Sequence, residues 1–243
     1  MNLIQINNDL KELDNYFLNY HNFNETYVID FIENLKKIMF PNIYKNHVSI
    51  KQLYIDLSDL LISINHDDVD KTINLFFESL VNVKKTLLTD LDAFIKKDPA
   101  AKSKEDIILS YNSFKAIFIY RIANLLNKLE VNLIPRYLSE YAHSITGIDI
   151  HPKSKIGKYF FIDHGTGIVI GETSTIGENV SIYQGVTLGA KSLKEGSLLK
   201  GVKRHPTISD DVVIYANATI LGGDTIIKKG SIISGNAFIT NSN

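Results

Sequence analysis

The sequence predicts an α+β chain of two unlike halves: a helical domain over residues 1–147, then a solenoid of short strands over 148–243. Three observations predict it. Apolar residues recur at helical spacing in the first half. Near residue 148 the period becomes six. A long interruption of that period, between Gly189 and Thr207, reads as a loop (189–207) extruded from the solenoid.

The helical half can be followed along the chain. Phe31, Leu35, Ile38 and Met39 share one helical face, and Pro41 marks a break after them. Asp67 and Asp68 stand as caps before a helix carrying Ile73, Phe76, Phe77 and Leu80. Pro99, within Asp98-Pro-Ala100, marks the next break. Ile107 to Leu129 predict one long helix with a wide apolar face. Pro135 suits the first turn of the helix after it.

In the second half, aliphatic residues stand at Ile150, Ile156, Ile162 and Ile168. The count shifts by two and resumes at Ile170, Ile176, Ile182 and Leu188. After the loop it runs through Ile208, Ile214, Ile220, Ile226, Ile232 and Phe238. Neither a helix nor an isolated strand has this period. Each hexad supplies one strand and one turn, and three hexads complete a triangular coil. The aliphatic residue points inward, onto those of the neighbouring coils. Glycine often follows it, as at Gly157, Gly171 and Gly177, where a side chain would crowd a turn. Coils bury their core only by stacking, so the helical half is expected to cap one end and to drive assembly.

Composition narrows the function classes. Net charge is −1, from 26 basic and 27 acidic residues, which argues against a broad nucleic-acid surface. The absence of cysteine excludes disulfides, thiolate zinc sites and a cysteine nucleophile. No apolar run approaches a membrane span, and Met1 to Phe17 lacks the basic-then-apolar order of a secretion signal. The expectation is a cytoplasmic protein without nucleic-acid or membrane partners.

Hexapeptide repeats of this kind characterise a superfamily of left-handed parallel β-helices rich in acyltransferases. Several local motifs resemble one member family, the serine O-acetyltransferases. They are Asp149-Ile-His-Pro152 with Ile156-Gly157, Phe161-Ile-Asp-His-Gly-Thr-Gly167, and Gly171-Glu-Thr173. Ser181-Ile-Tyr-Gln184, Val186-Thr-Leu-Gly189 and Lys203-Arg-His-Pro206 join them. Upstream, Asp98-Pro-Ala100 and Tyr111 to Ala123 are similar to the family's helical domain. The specific resemblance runs from about residue 98 to 238. It implies a left-handed β-helix acetyltransferase domain over 148–243 and the first step of cysteine biosynthesis, from acetyl-CoA and L-serine to O-acetyl-L-serine and CoA.

A serine hydroxyl is a poor nucleophile until a base takes its proton. The chain has seven histidines, at 21, 47, 66, 143, 151, 164 and 205, and composition does not choose among them. The resemblance selects His164 as general base, at the two-residue phase shift where the coil leaves its regular geometry. Asp149 is implied as the carboxylate that orients it, fifteen residues earlier where a coil takes eighteen. Asp98 and Asp163 resemble the acids that receive the ammonium of serine. Arg204 and His205 resemble the pair that receives its carboxylate, a task suited to an arginine fork. Glu172 is left open between a structural and a functional part.

The resemblance implies a trimer whose active sites lie between subunits. One chain is then expected to supply Asp149 and His164 and its neighbour Arg204 and His205, with acetyl-CoA along the groove between two prisms. The cofactor contacts implied here are Gly189, Ala190, Ala216 and Ser234, with no metal. Gly189-Ala190-Lys191-Ser192 departs from the family's Gly-Gly-Thr-like run, and Ser234 replaces a smaller residue. Direct transfer is the expected mechanism, with a backbone N–H near Gly189 as the expected oxyanion donor.

The resemblance also implies feedback inhibition by L-cysteine and a homotrimer that pairs into a dimer of trimers through the helical half. Relatives usually continue into an isoleucine-ended tail that docks in O-acetylserine sulfhydrylase. This sequence stops at Thr240-Asn-Ser-Asn243, so no tail-mediated complex with that enzyme is expected. Rival readings fit less well. Sugar or antibiotic acetyltransferases generally lack Asp98-Pro-Ala and Asp149-Ile-His-Pro. A zinc-dependent γ-type carbonic anhydrase places two histidines five residues apart, and no pair here has that spacing. A non-catalytic scaffold has no need of Asp149, His164 and Arg204 together.

Overall fold

Side-chain caps start three of the helices. The computed structural model describes residues 6, 23–44, 48–192 and 196–242; His21, His47 and Lys194 of the loop lie outside them. Asn24 caps α1 (Glu25–Met39), Ser49 caps α2 (Ile50–Ser63) and Ser103 caps α4 (Lys104–Ser110), each through its side-chain oxygen. Asp68 precedes α3 (Val69–Lys97) but makes no side-chain cap bond; its own backbone is left-handed, at φ 51°. The single helix expected over 107–129 is two, α4 and α5 (Asn112–Lys128), with Tyr111 extended between them. Periodicity did not register that break because both pieces keep an apolar face. α5 is buried on nearly every side, so it is the central helix of the first half. Pro135 lies in the first turn of α6 (Ile134–Thr146), which ends on Gly147 at φ 70°, a backbone conformation glycine takes without strain.

From Asp149 onward the chain winds as a left-handed β-helix of three parallel sheets. The first sheet, A, holds β1 (Asp149–Ile150), β4 (Val169–Ile170), β7 (Thr187–Gly189), β10 (Thr219–Leu221) and β13 (Phe238–Ile239). Sheet B holds β2 (Lys155–Ile156), β5 (Thr175–Ile176), β8 (Thr207–Ile208) and β11 (Ile226–Ile227). Sheet C holds β3 (Phe161–Asp163), β6 (Ser181–Tyr183), β9 (Val213–Ile214) and β12 (Ile232–Ile233). Each circuit passes three corners, named here A/B, B/C and C/A. The extruded loop leaves from the A/B corner between β7 and β8 and contains a short 3₁₀ turn, Gly196–Leu199.

Inward columns form where register stacks aliphatic residues. Ile170, Leu188 and Ile220 form one, and Ile162, Ile182 and Ile214 another, each side chain at most 1% exposed. The corners add a second inward residue per hexad that the aliphatic period did not reveal. Ile148, Ile168 and Val186 fill C/A, Phe160, Val180 and Val212 fill B/C, and small Ser154, Ser174 and Thr225 fill A/B.

The last coil departs from the expected register. Ile226, Ile232 and Phe238 point outward, at 48%, 67% and 70% exposure. Their neighbours Ile227, Ile233 and Ile239 take the inward places, over Ile208, Ile214 and Ile220. One extra residue enters at the A/B corner through Gly222 and Gly223. The returning loop packs there so closely that a Cβ on Gly223 would lie 2.1 Å from the Lys203 carbonyl oxygen. Ile227→Ala is therefore expected to destabilise by about 2–4 kcal/mol. Ile226→Ala should stay within about 0.5 kcal/mol, and urea unfolding of the two variants checks the register.

The open edge of the first coil is closed by helical side chains. Ser139 of α6 donates to Ile150 O at 2.6 Å. From α5, Asn124 donates to Pro152 O, Tyr120 to Ser154 O, and Arg121 to both Ile156 O and Gly157 O, at 2.6–2.7 Å. Asp90 of α3 accepts from Phe160 N at 2.9 Å. These bonds fix the first coil on the helices.

Candidate active site

Position on the prism sorts the residues singled out by sequence. Asp163 ends β3, and His164 follows it into the C/A corner with φ 55° and an exposed side chain. Asp149 opens β1 at the same corner. Ile148, beside it, packs against Gly165, beside His164: a Cβ on Gly165 would lie 2.5 Å from Ile148 Cδ1. The two segments thus meet, although no Asp149–His164 hydrogen bond forms within the single chain. Burial pushes the Asp149 carboxyl up, against the opposing influence of Arg136 and His143 on α6.

Asp98 reaches this corner from the C-terminal end of α3. Its Oδ1 accepts from Ala100 N at 2.8 Å and its Oδ2 from the Tyr111 hydroxyl at 2.9 Å. Burial, the Asp98 bond and the nearby charges of Asp106 and Asp163 push the Tyr111 hydroxyl up to about 12. Tyr111 was not singled out from sequence as a site residue. It sits at the helix break that periodicity also missed, and that break turns its ring toward Asp98. Along sheet C, Tyr183 stands opposite Asp163, and its ring tilts on Tyr215 with centroids 5.0 Å apart. The C/A side therefore carries carboxylates and aromatic hydroxyls near Asp163, next in sequence to the exposed His164.

The A/B corner has the opposite character. Arg204 pairs with Glu172 and donates from Nη1 to Leu199 O at 3.1 Å. Lys153 meets the other Glu172 oxygen at 3.1 Å. Burial alone pushes Glu172 up, but the bonds from Arg204 and Lys153 outweigh it and hold its pKa at about 2. His205 is 8% exposed, and its Nδ1 lies 2.8 Å from Thr173 Oγ1 and 3.1 Å from Thr173 N. Burial first, then Arg204 and Lys203, lower His205 to about 4. His151, at this corner two coils earlier, is also lowered to about 4, chiefly by burial. Both imidazoles are neutral near pH 7.

Arg204 and His205 thus sit on one edge of sheet A, and Asp149, Asp163 and His164 on the other. One chain does not bring the two groups together. The residues implied for the cofactor divide the same way. Ala216 and Ser234 occupy the C/A corner two and three coils beyond His164, and Gly189 and Ala190 lead into the loop at A/B. A hollow of about 680 Å³ lies elsewhere, between α3, α5 and the first coil, and none of these residues lines it. Among the described residues no three His, Cys, Asp or Glu side chains converge in a metal-holding group, and no helix is long and apolar enough to cross a membrane.

The histidine shifts carry a sign for stability. Unfolded, His151 and His205 take up protons near pH 6.5; folded, they stay neutral until about pH 4. The unfolded chain binds more protons between those values, so folding stability falls as pH drops from 6.5 to 4. Melting temperature followed across that window should decline less steeply in His205→Gln than in the unaltered chain.

Comparison with known proteins gives consistent neighbours. No protein-family model matches the chain. The plasmid serine acetyltransferase of Synechococcus elongatus is 51% identical over 170 residues, covering 69% of this chain but only 53% of that protein. The serine acetyltransferase of Bacillus licheniformis is 45% identical over 155 residues, covering 64% of this chain and 69% of that protein. Native serine acetyltransferase 1 of Entamoeba histolytica superposes with a TM-score of 0.80 at 35% identity, covering 93% of this chain and 86% of that one. The same enzyme in complex with L-cysteine gives 0.77 at 38%, covering 87% and 84%. A serine acetyltransferase in complex with CoA gives 0.63 at 27%, covering 90% and 91%.

Proposed function

The chain belongs to the serine acetyltransferase family of acyltransferases, and from that premise we propose that it moves the acetyl group of acetyl-CoA to the hydroxyl of L-serine, with His164 as general base. The observation that carries the reading is the division of charge across sheet A. Free serine presents an ammonium and a carboxylate, and a pocket for it needs both signs. Asp98 and Asp163 suit the ammonium, and Arg204 with the neutral His205 suits the carboxylate. Because these groups lie on opposite edges of one prism, a complete pocket needs a second copy whose A/B corner faces this chain's C/A corner. A homotrimer meets that need with identical contacts.

In the reaction, His164 takes the hydroxyl proton as the serine oxygen attacks the thioester carbonyl carbon. Asp149 orients the imidazole and favours its protonated form. A backbone N–H near Gly189 stabilises the tetrahedral oxyanion. The C–S bond then breaks, and His164 returns the proton to the CoA sulfur. No covalent enzyme intermediate is required. Gly189, Ala190, Ala216 and Ser234 line the cofactor groove between prisms. L-Cysteine, which shares the ammonium and carboxylate of serine, competes for the same pocket, as the L-cysteine-bound relative suggests.

Release of CoA thiol from acetyl-CoA with L-serine tests the activity, and added L-cysteine should suppress it. Absence of L-serine-dependent thiol release would refute the reading. His164→Ala should lower kcat at least about a hundredfold. His164→Ala and Arg204→Ala should each be strongly impaired, yet a co-refolded equal mixture should regain roughly a quarter of native activity, since some mixed trimers hold sites with both halves intact. A mixture as inactive as its components would rule out a site shared between copies.

A further inference from the structure

Arg204 and His205 sit on a loop, yet both are held by one residue that the proposed reaction leaves without a part. Thr173 occupies the A/B corner of the second coil. Its Oγ1 accepts from the backbone N–H of Arg204 at 2.9 Å and of His205 at 3.0 Å. With its lone pairs so engaged, the hydroxyl proton is left to donate to His205 Nδ1, 2.8 Å away. The Thr173 backbone N–H points at the same nitrogen from 3.1 Å. A ring nitrogen that receives an N–H presents a lone pair, so a neutral imidazole carries its proton on the other nitrogen.

Space around the ring agrees with this clamp. A Cβ on Gly171 would lie 2.0 Å from His205 Cδ2, so only glycine leaves room for the imidazole there. Nε2 has no hydrogen-bond partner within the chain among the described residues. Thr173 O also accepts from Lys203 Nζ at 2.7 Å, which ties the loop to the corner a further time.

We propose that Thr173 is a positioning residue for the carboxylate half of the serine pocket: its hydroxyl and amide lock the Arg204–His205 backbone and hold neutral His205 as the Nε2–H tautomer. The proposal rests on the serine reading above and deepens it. In that tautomer His205 offers a fixed donor beside the Arg204 guanidinium, which matches an incoming carboxylate. The other tautomer would turn a lone pair toward the carboxylate and repel it. Thr173 itself need not touch substrate; it acts through the two residues it holds.

Thr173→Val removes the hydroxyl at nearly constant volume, and Thr173→Ser keeps it. The valine variant is expected to raise KM for L-serine about tenfold or more, with kcat and the KM for acetyl-CoA within about threefold. The serine variant should restore KM to within about threefold of native. Thr173→Ala makes the same comparison if the valine variant fails to fold. Independently of activity, ¹⁵N spectra of histidine-labelled protein, with His205 assigned by its loss in His205→Gln, should show Nε2 protonated and Nδ1 bare. Thr173→Ser should keep that pattern, and hydroxyl-free variants, whose loop loses both backbone bonds to Oγ1 and so carries Nδ1 away from the Thr173 amide, should show mixed tautomers. A native His205 protonated on Nδ1, or a hydroxyl-free variant with native serine KM and a single native tautomer, would overturn the proposal. Should the protein not turn over L-serine at all, the functional reading fails while the spectra still decide the clamp.

Discussion

The ion pair of Asp90 and Arg121 joins the two halves of the molecule, and the geometry of the first coil depends on it. A parallel solenoid must end somewhere, and its first coil turns a row of unpaired N–H and C=O groups away from the stack. Asp149, Lys155 and Phe161 donate their own N–H groups to the second coil; alternate groups face the helices. Arg121 and Asp90 are 9% and 0% exposed, so bulk water cannot serve those groups there. Arg121 donates to both Asp90 oxygens at 3.0 and 3.1 Å and still reaches two coil carbonyls. Burial pushes the Asp90 carboxyl up, and Arg121 with the Phe160 N–H oppose it. A buried pair of this kind adds little net stability over an apolar one. Its value lies in fixing where the coil sits, since loss of either partner leaves a buried charge worth about 3–5 kcal/mol of destabilisation.

That anchorage matters to the site because the first coil carries so much of it. Asp149, His151, Asp163 and His164 all belong to the coil that the helices hold, and Asp98 stands at the end of the same α3 that carries Asp90. The helix that fixes the coil therefore also delivers an acid to its corner. The A/B side has a different support. Arg204 and His205 lie on an extruded loop, and the solenoid holds that loop by Thr173, by Glu172 and by the close contact of Lys203 with Gly223. One half of the pocket is thus rigid through the helices, and the other through the coils above and below it.

Much of this was legible in the sequence, for reasons that differ by element. The six-residue period survives because each coil repeats one packing problem, and Ile170, Ile176, Ile182 and Leu188 all solve it alike. The slip in the last coil was illegible because each position is an apolar doublet: Ile226-Ile227, Ile232-Ile233, Phe238-Ile239. Either register satisfies the pattern, and only the extra residue at Gly222-Gly223 decides. The break at Tyr111 was hidden in the same way, because apolar residues run at helical spacing on both sides of it. The site residues were found by motif, but their division between two edges of sheet A is a matter of which corner each turn occupies. Thr173 stood inside a recognised motif, yet its partners lie 31 and 32 residues further on, across the extruded loop, so no local pattern revealed its part.

The register slip and the pocket have one cause. The loop must leave the A/B corner after Gly189 and return to it before Thr207, and its returning backbone needs space against the coil above. Gly223 supplies that space, and the extra residue moves every later inward position by one. What reads in isolation as an irregularity of the last coil is the accommodation of the segment that bears Arg204 and His205. The solenoid tolerates it because alternate isoleucines stand ready on both sides of the backbone. The outward ones, Ile226, Ile232 and Phe238, are the exposed counterpart of that tolerance. A regular scaffold has here given up its register at one corner so that a loop could be held against it.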